Sequence, residues 1–136
     1  MPLLSANILV CELVLWEKND IPTIVRAMST LGLSETRQFA HFFSVTTLHS
    51  QPGDLQPHSL RIVLSDQTGA TIAQTPPYSF SYGYKIDPSG PGGFILTSEF
   101  NLDVRQVRLP MSCLVSAFLD SELDSVAKIP LMLRRG

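Results

Sequence analysis

The sequence predicts an all-β domain, a sandwich of two antiparallel sheets with about seven or eight strands, of the immunoglobulin or C2-like type. Two observations lead to this fold class. Apolar and β-branched residues occur in short runs that are separated by clusters of Pro, Gly, Asn and Asp. In addition, no stretch carries apolar residues at the spacing of an amphipathic helix. Because the 136 residues contain no linker and no repeat, one domain is expected over residues 1–136.

The N-terminal part predicts a hairpin followed by an ambiguous segment. Residues 7–17, NILVCELVLWE, are apolar on both faces, so this strand is expected to be covered on both sides. Residues 18–20 make a polar turn, and residues 21–31 are predicted to return as the second strand, with Pro22 near its start. Residues 34–40 fit either a loop or a single helical turn.

The middle of the chain predicts three more strands. Residues 42–49, FFSVTTLH, are rich in aromatic and β-branched side chains, which favour a strand. Pro, Gly and Asp in residues 50–57 indicate a loop. Residues 58–66, HSLRIVLSD, alternate between an apolar and a largely polar face, and a Gln-Thr-Gly turn predicts that they pair with residues 70–75.

An aromatic ladder follows, in which Tyr78, Phe80, Tyr82 and Tyr84 alternate with small residues and share one face of a strand. If that face turns inward, the rings belong to the core. If it turns outward, they form a contact patch of the kind found at interfaces and sugar sites. We assign Phe80 to the core, and we assign Tyr82 and Tyr84, beside the glycine-rich residues 87–93, to a binding surface.

The C-terminal part predicts the last three strands, at residues 94–104, 111–119 and 125–133. In the last of these, Pro130 indicates an edge strand or a bulge, because proline cannot donate to a neighbouring strand. Residues 120–124, DSELD, are expected to form a solvated acidic turn.

Composition limits the possible partners. Charged residues make up 16% of the chain, below the roughly 25% of an average soluble domain, which indicates that a partner covers part of the surface. The net charge of −2 gives no electrostatic drive toward nucleic acid or an anionic membrane. The N-terminal residues show no signal-peptide pattern and no apolar run long enough for a membrane span, so a cytoplasmic location is expected.

The sequence shows no recognisable constellation for catalysis or metal binding. His41, His49 and His58 are too scattered for a metal-binding pair and are expected at exposed loop edges. Cys11 and Cys113 lie in apolar runs, which predicts buried, reduced thiols that are poor nucleophiles. No GxSxG elbow and no phosphate-loop lysine are present. We therefore expect a protein that is not an enzyme, with no catalytic residue, metal or cofactor.

One charge interrupts the first strand. Glu12 lies among apolar residues, and a carboxylate in such a position needs a partner. Arg26, on the predicted return strand, is the natural candidate, so we predict a structural ion pair between Glu12 and Arg26. An exposed edge position is the alternative.

Three segments resemble one protein family. CELVLWEKNDIPTIVRAMSTL at residues 11–31, HSLRIVLSDQTGATI at 58–72 and FLDSELDSVAKIPLMLRR at 118–135 resemble the opening, the middle hairpin and the closing hairpin of a family of small bacterial proteins. That family is a domain of unknown function of the DUF6941 type. The resemblance implies a β-sandwich of bacterial origin, and it carries over no catalytic residue.

Two classes of function follow from these observations. The first is a non-enzymatic protein-interaction or assembly module that binds a protein partner or a second copy of itself as a homodimer, with Trp16 on the first strand as a contact residue. The second is a small-ligand or carbohydrate-binding module that uses Tyr82 and Tyr84. A flat apolar face would favour the first class, whereas a concave pocket with convergent polar groups would favour the second.

Overall fold

A computed structural model of the chain describes residues 3–16, 22–34, 36–83 and 92–136. These residues form two packed β-sheets, which confirms the predicted all-β sandwich. The described part contains ten strands and a three-residue 3-10 helix, Val104–Gln106. The strands are β1 Leu3–Trp16, β2 Pro22–Ala27, β3 Thr30–Leu33, β4 Phe39–Ser50, β5 His58–Ser65, β6 Thr71–Gln74, β7 Tyr78–Phe80, β8 Gly93–Asp103, β9 Met111–Leu119 and β10 Ala127–Arg135.

The two sheets differ in size and in the direction of one strand pair. The small sheet has the order β2-β1-β4-β8, and the large sheet has the order β3-β10-β9-β5-β6, with β7 also paired to β5. Neighbouring strands are antiparallel except for β3 and β10, which run parallel. The prediction of purely antiparallel sheets is therefore corrected at this one pair. The long connection between β3 and β10 permits the parallel arrangement, which a tight hairpin turn does not.

The predicted second strand, residues 21–31, is in fact two strands in different sheets. Arg26 adopts the left-handed conformation with φ of 56°, which redirects the backbone at the end of β2. The Met28 N–H still donates to the Val10 carbonyl of β1, at 2.9 Å, whereas Ser29 accepts from the Met132 N–H of β10, also at 2.9 Å. The chain thus crosses from the small sheet to the large sheet within two residues.

Prolines shape two strands of the large sheet. Pro76 and Pro77 separate β6 from β7, and Thr75 keeps this edge attached to β5. Its N–H donates to the Ile62 carbonyl at 2.9 Å, and its hydroxyl Oγ1 accepts from the Ile62 N–H at 2.9 Å. Pro130 lies opposite Leu114 in the half of β10 that precedes the pairing with β3. As predicted, Pro130 therefore occupies an edge segment.

The core lies between the two sheets and follows the predicted alternation. In the small sheet, Phe42 is fully buried and stacks on Phe100 of β8, with ring centroids 5.0 Å apart and planes 8° from parallel. Facing them, the large sheet contributes mainly aliphatic side chains from every second residue of β5, β9 and β10. These residues are Leu60, Ile62, Leu64, Cys113, Val115, Ala117, Leu119, Leu131 and Leu133.

Candidate functional site

The first two strands extend past the small sheet as a two-stranded arm. The pairing of β1 with β4 ends at Cys11 and Phe43, whereas the pairing of β1 with β2 continues to Trp16 and Pro22. We define the arm as residues 12–16 of β1 and 22–26 of β2. Within the described chain these residues pair only with each other, so the arm projects from one corner of the sandwich.

Both faces of the arm expose large apolar side chains. Leu13 and Leu15 lie on one face, and Trp16 and Ile24 lie on the other, because side chains alternate along a strand and the paired residues share a face. Their exposed fractions are 40%, 49%, 51% and 36%, respectively. The prediction that the first strand is covered on both sides is therefore wrong for its second half in the single chain. The physical reason is that β4 pairs with β1 only as far as Cys11.

Glu12 and Arg26 lie at the base of the arm. Arg26 Nε is 3.2 Å from Glu12 Oε2, and both side chains are largely exposed. An ion pair in contact with solvent contributes little to stability. Its effect is local, since it links β1 to β2 where the backbone of Arg26 is left-handed.

A groove of about 480 Å³ lies beside this ion pair. One wall is the base of the arm, the opposite wall is the N-terminal half of β4, and β3 contributes Thr30, Leu31 and Gly32. Its ionisable lining residues are Glu12, Arg26, Arg37 and His41, and its larger apolar ones include Met28 and Phe39. The imidazole Nδ1 of His41 lies 3.4 Å from Glu99 Oε1 on the neighbouring strand. The groove is therefore lined by both polar and apolar side chains, with two arginines and one carboxylate among them.

Of the aromatic residues assigned to a binding surface, the structure exposes Trp16 and buries Tyr82. Trp16 is half exposed on the arm, but Tyr82 is only 6% exposed and belongs to the core. The Tyr82 ring packs edge-on against His58 and Phe80, with centroids 5.2 and 5.3 Å away, so the assignment of Tyr82 to a contact surface is corrected. The prediction for Tyr84 concerns a residue outside the described chain. Phe80 is buried, as predicted.

The structure brings together a cluster that the sequence analysis did not predict. His58, at the start of β5, lies between Asp54 in the preceding loop and Asp120 in the turn between β9 and β10. Its Nε2 is 2.9 Å from Asp54 Oδ2, and its Nδ1 is 2.9 Å from Asp120 Oδ2. The side chains of His58 and Asp54 are 8% and 3% exposed. The prediction that His58 is an exposed loop-edge residue is therefore wrong.

Asp120 is held in position by the backbone as well as by His58. It has a left-handed φ of 55°, its N–H donates to the Ser59 carbonyl at 2.7 Å, and its Oδ1 accepts the Ser59 N–H at 2.9 Å. The expected solvated acidic turn is thus anchored to β5 through its first residue. The one feature of the sequence that relates two members of the cluster is that Asp54 and His58 lie four positions apart. Asp120 lies 62 positions from His58, so local patterns do not relate the two residues.

The charge state of the cluster follows from its contacts. Burial lowers the pKa of His58, but the hydrogen bonds to the Asp120 and Asp54 carboxylates outweigh burial and leave that pKa above its ordinary value. Burial raises the pKa of Asp54, but hydrogen bonds from His58 and from the Gln56 N–H outweigh it and leave that pKa below its ordinary value. These contacts therefore favour the imidazolium form of His58, which donates to both carboxylates.

This arrangement is suited to holding loops together and not to metal binding. Both ring nitrogens of His58 are engaged by carboxylates, and no group of three or more His, Cys, Asp or Glu side chains in the described residues could hold a metal ion. Cys11 and Cys113 are free and buried, and burial raises the pKa of both thiols, which keeps them protonated at neutral pH.

Raising the pH is expected to weaken the fold through His58. Because its pKa is higher in the folded chain than in the unfolded chain, where it is about 6.5, its stabilising contribution is complete below that pH. The contribution is lost as the pH rises through the folded-state pKa. Urea unfolding between about pH 6 and pH 8 measures this effect, and staying below the thiol pKa values avoids titrating the cysteines. In His58→Gln the free energy of unfolding should fall less steeply with pH. An equal decline in both proteins would show that His58 does not cause it.

In the residues that the structure describes, no helix is long and apolar enough to span a lipid bilayer.

Comparisons with known proteins bear on the fold. No protein-family model matches the chain, and no curated protein matches its sequence. Among solved structures, a glycosyl hydrolase family 2 member from Bacteroides cellulosilyticus superposes on 70% of the chain, with a TM-score of 0.50 and 11% identity. A beta-glucuronidase from glycoside hydrolase family 2 superposes on 76%, with a TM-score of 0.51 and 14% identity.

A third similar structure, a protein named as a beta-galactosidase of Bacteroides fragilis, superposes on 95% of the chain, with a TM-score of 0.51 and 15% identity. The chain corresponds to only 12%, 10% and 17% of the lengths of these three structures. At such low identity the likeness concerns the β-sandwich fold alone.

Proposed function

We propose that this protein is a non-enzymatic protein-interaction module that self-associates through the arm. The observation that carries the proposal is the exposure of Leu13, Leu15, Trp16 and Ile24 on both faces of a two-stranded element that the rest of the described chain leaves uncovered. Exposed apolar surface of this kind is characteristic of interaction sites. A second copy is the simplest partner, since most soluble oligomers are symmetric homo-oligomers.

The charge distribution supports a protein partner over the other macromolecules. The net charge of −2 provides no drive toward nucleic acid or anionic lipid, and the arm offers apolar side chains without lysine or arginine among its exposed residues except Arg26, which is paired with Glu12. Bacterial origin and a cytoplasmic location remain predictions that rest on the sequence, as does membership of the DUF6941 family.

Carbohydrate binding is the second candidate, and the fold likeness to glycoside hydrolase family 2 proteins is compatible with it. Its support is weaker than that of the first candidate, because Tyr82, one of the two tyrosines expected to contact a ligand, is buried. If sugars bind in the groove, isothermal titration calorimetry with glucuronate or galactose should show saturable binding that Arg37→Glu, a change in the groove lining, weakens.

Trp16→Asp is expected to convert a self-associated protein into a monomer without unfolding it. The side chain is half exposed and lies beyond the sandwich, so the free energy of unfolding should change by less than about 1 kcal/mol, whereas a charge placed in an apolar interface opposes association. Light scattering across a dilution series measures the mass, and chemical denaturation measures the stability.

Leu123→Asp is the matched control, because Leu123 is also an exposed large apolar residue but lies in the turn between β9 and β10. This variant should retain the wild-type mass at every concentration. A wild-type chain that is monomeric throughout the series, or an equal loss of mass in both variants, would contradict self-association through the arm.

A further inference from the structure

We propose that the groove at the base of the arm binds an extended, acidic peptide segment of a partner protein, which adds as a strand to the free edge of β4. This inference rests on the proposed function as an interaction module and names the chemistry of a second partner. The site is distinct from the exposed faces of the arm, although the arm forms one of its walls.

The first argument is an open strand edge. Residues 39–42 of β4 pair with residues 100–103 of β8 on one side. On the other side the pairing with β1 begins only at Phe43, because β1 departs with the arm, and no other strand of the described chain takes its place. Four residues of edge extend over about 13 Å. Their outward backbone groups need hydrogen-bond partners, and an added strand provides them.

The edge lies inside a groove of suitable size. The groove has a volume of about 480 Å³, within the range of sites that hold small ligands, so it has room for a few side chains of a bound segment. Phe39 projects at its rim and is half exposed, and Met28 and Leu31 line it and are partly buried. A bound strand points alternate side chains in opposite directions, so every second side chain would meet these apolar residues.

The charges of the groove favour an acidic occupant. Glu12 already pairs with Arg26 at 3.2 Å, and His41 lies against Glu99 at 3.4 Å. Arg37 also lines the groove and is exposed, but it makes no ion pair within the part of the chain that the structure describes. Among the described side chains that line the groove, two arginines stand against one carboxylate, although the chain as a whole has a net charge of −2. A carboxylate on the bound segment would compensate Arg37.

Two labelled peptides test the charge preference on the full chain. The acidic probe is a blocked hexapeptide of alternating valine and glutamate, and the basic probe has lysine in place of glutamate. Fluorescence anisotropy should show tighter binding of the acidic probe by about two- to fivefold, the ratio expected for one solvent-exposed charge contact. Arg37→Glu should reverse the preference. Lys128→Glu, the same charge change on exposed β10 outside the groove, should leave it unchanged.

Amide hydrogen exchange then locates the bound strand. The acidic probe should slow the exchange of backbone amides within residues 39–42 of β4, and it should not do so in Arg37→Glu. Equal binding of the two probes, or equal effects of Arg37→Glu and Lys128→Glu, would overturn the proposal. Displacement of the acidic probe by unlabelled chain, at the concentrations where the chain self-associates, would show that a second copy occupies the groove, and would overturn the assignment to a different partner.

The outcome separates this inference from the proposed function. If Trp16→Asp abolishes self-association but neither peptide binds, the arm remains an interaction site and the groove proposal fails. If the acidic peptide binds with the predicted dependence on Arg37 but Trp16→Asp leaves the mass unchanged, the groove proposal stands and self-association through the arm fails.

Discussion

Asp54→Ala is expected to lower the free energy of unfolding by about 3 kcal/mol, the cost of removing one partner from a buried ion pair. Asp54 and His58 are both almost fully buried, and their side chains are 2.9 Å apart. Without Asp54, the His58 imidazolium keeps Asp120 but loses the carboxylate on its buried side. The Gln56 N–H, which donates to Asp54 Oδ1 at 3.1 Å, loses its acceptor as well.

Urea denaturation near pH 6 is the appropriate measurement, because His58 is charged there in both folded and unfolded chains to a large extent. Asp124→Ala provides the control, since Asp124 is an exposed acid beyond the anchored Asp120. Its effect should stay within about 0.5 kcal/mol. If both alanine variants unfold at the same urea concentration, the contact between Asp54 and His58 does not stabilise the fold.

Phe42→Ala is expected to cost about 4 kcal/mol of stability, the typical range for removing a buried aromatic side chain. Phe42 has no exposed surface and stacks on Phe100 at the centre of the small sheet. Removing the ring loses its contacts with the apolar core. It also leaves a cavity between the sheets that the surrounding strands fill only in part.

Phe39→Ala is the matched control on the same strand. The Phe39 side chain is 48% exposed at the rim of the groove, so its removal should cost about 1 kcal/mol or less. Thermal and chemical denaturation of both variants test the difference. Similar losses of stability in the two variants would contradict the structure, in which Phe42 is buried in the core and Phe39 is half exposed.

The fold was predictable where one face of a strand is apolar and the ends carry turn residues. The predicted strand 111–119 coincides with β9, and the predicted strand 58–66 ends one residue beyond β5. In β10 the alternation puts Leu131 and Leu133 on one side of the strand, and both are buried in the core. In these segments the local residue pattern and the tertiary packing favour the same structure. The strands can therefore be predicted from a single sequence.

The predictions failed where the decisive interactions are distant in the sequence. Residues 26–29 carry no Gly or Pro, so nothing local shows that the chain leaves one sheet for the other there. Alternation placed Tyr82 and Phe80 on one face, but it does not say whether that face is inward. The position of Tyr82 depends on its packing against His58. The orientation of His58 in turn depends on Asp120, from a different hairpin.

The candidate site was predictable only in part. The sequence identified Trp16 and the pairing partners Glu12 and Arg26 as residues of interest. The groove, in contrast, arises because β1 separates from β4 after Cys11, and this depends on where three strands begin and end. No pattern within one strand contains that information. Arg37 and the free edge of β4 could therefore be recognised only in the folded chain.

The parallel pairing of β3 with β10 bears on the order in which the chain folds. It joins Thr30 to Met132, about a hundred positions away, whereas β1 with β2 and β5 with β6 are joined by short connections. Closing a long loop costs more chain entropy than closing a hairpin, and no local turn can initiate a parallel pair. We therefore expect the hairpins to form first and β3 to dock late. Since β3 forms part of the groove, a folding chain would then acquire its two-stranded arm before the complete groove.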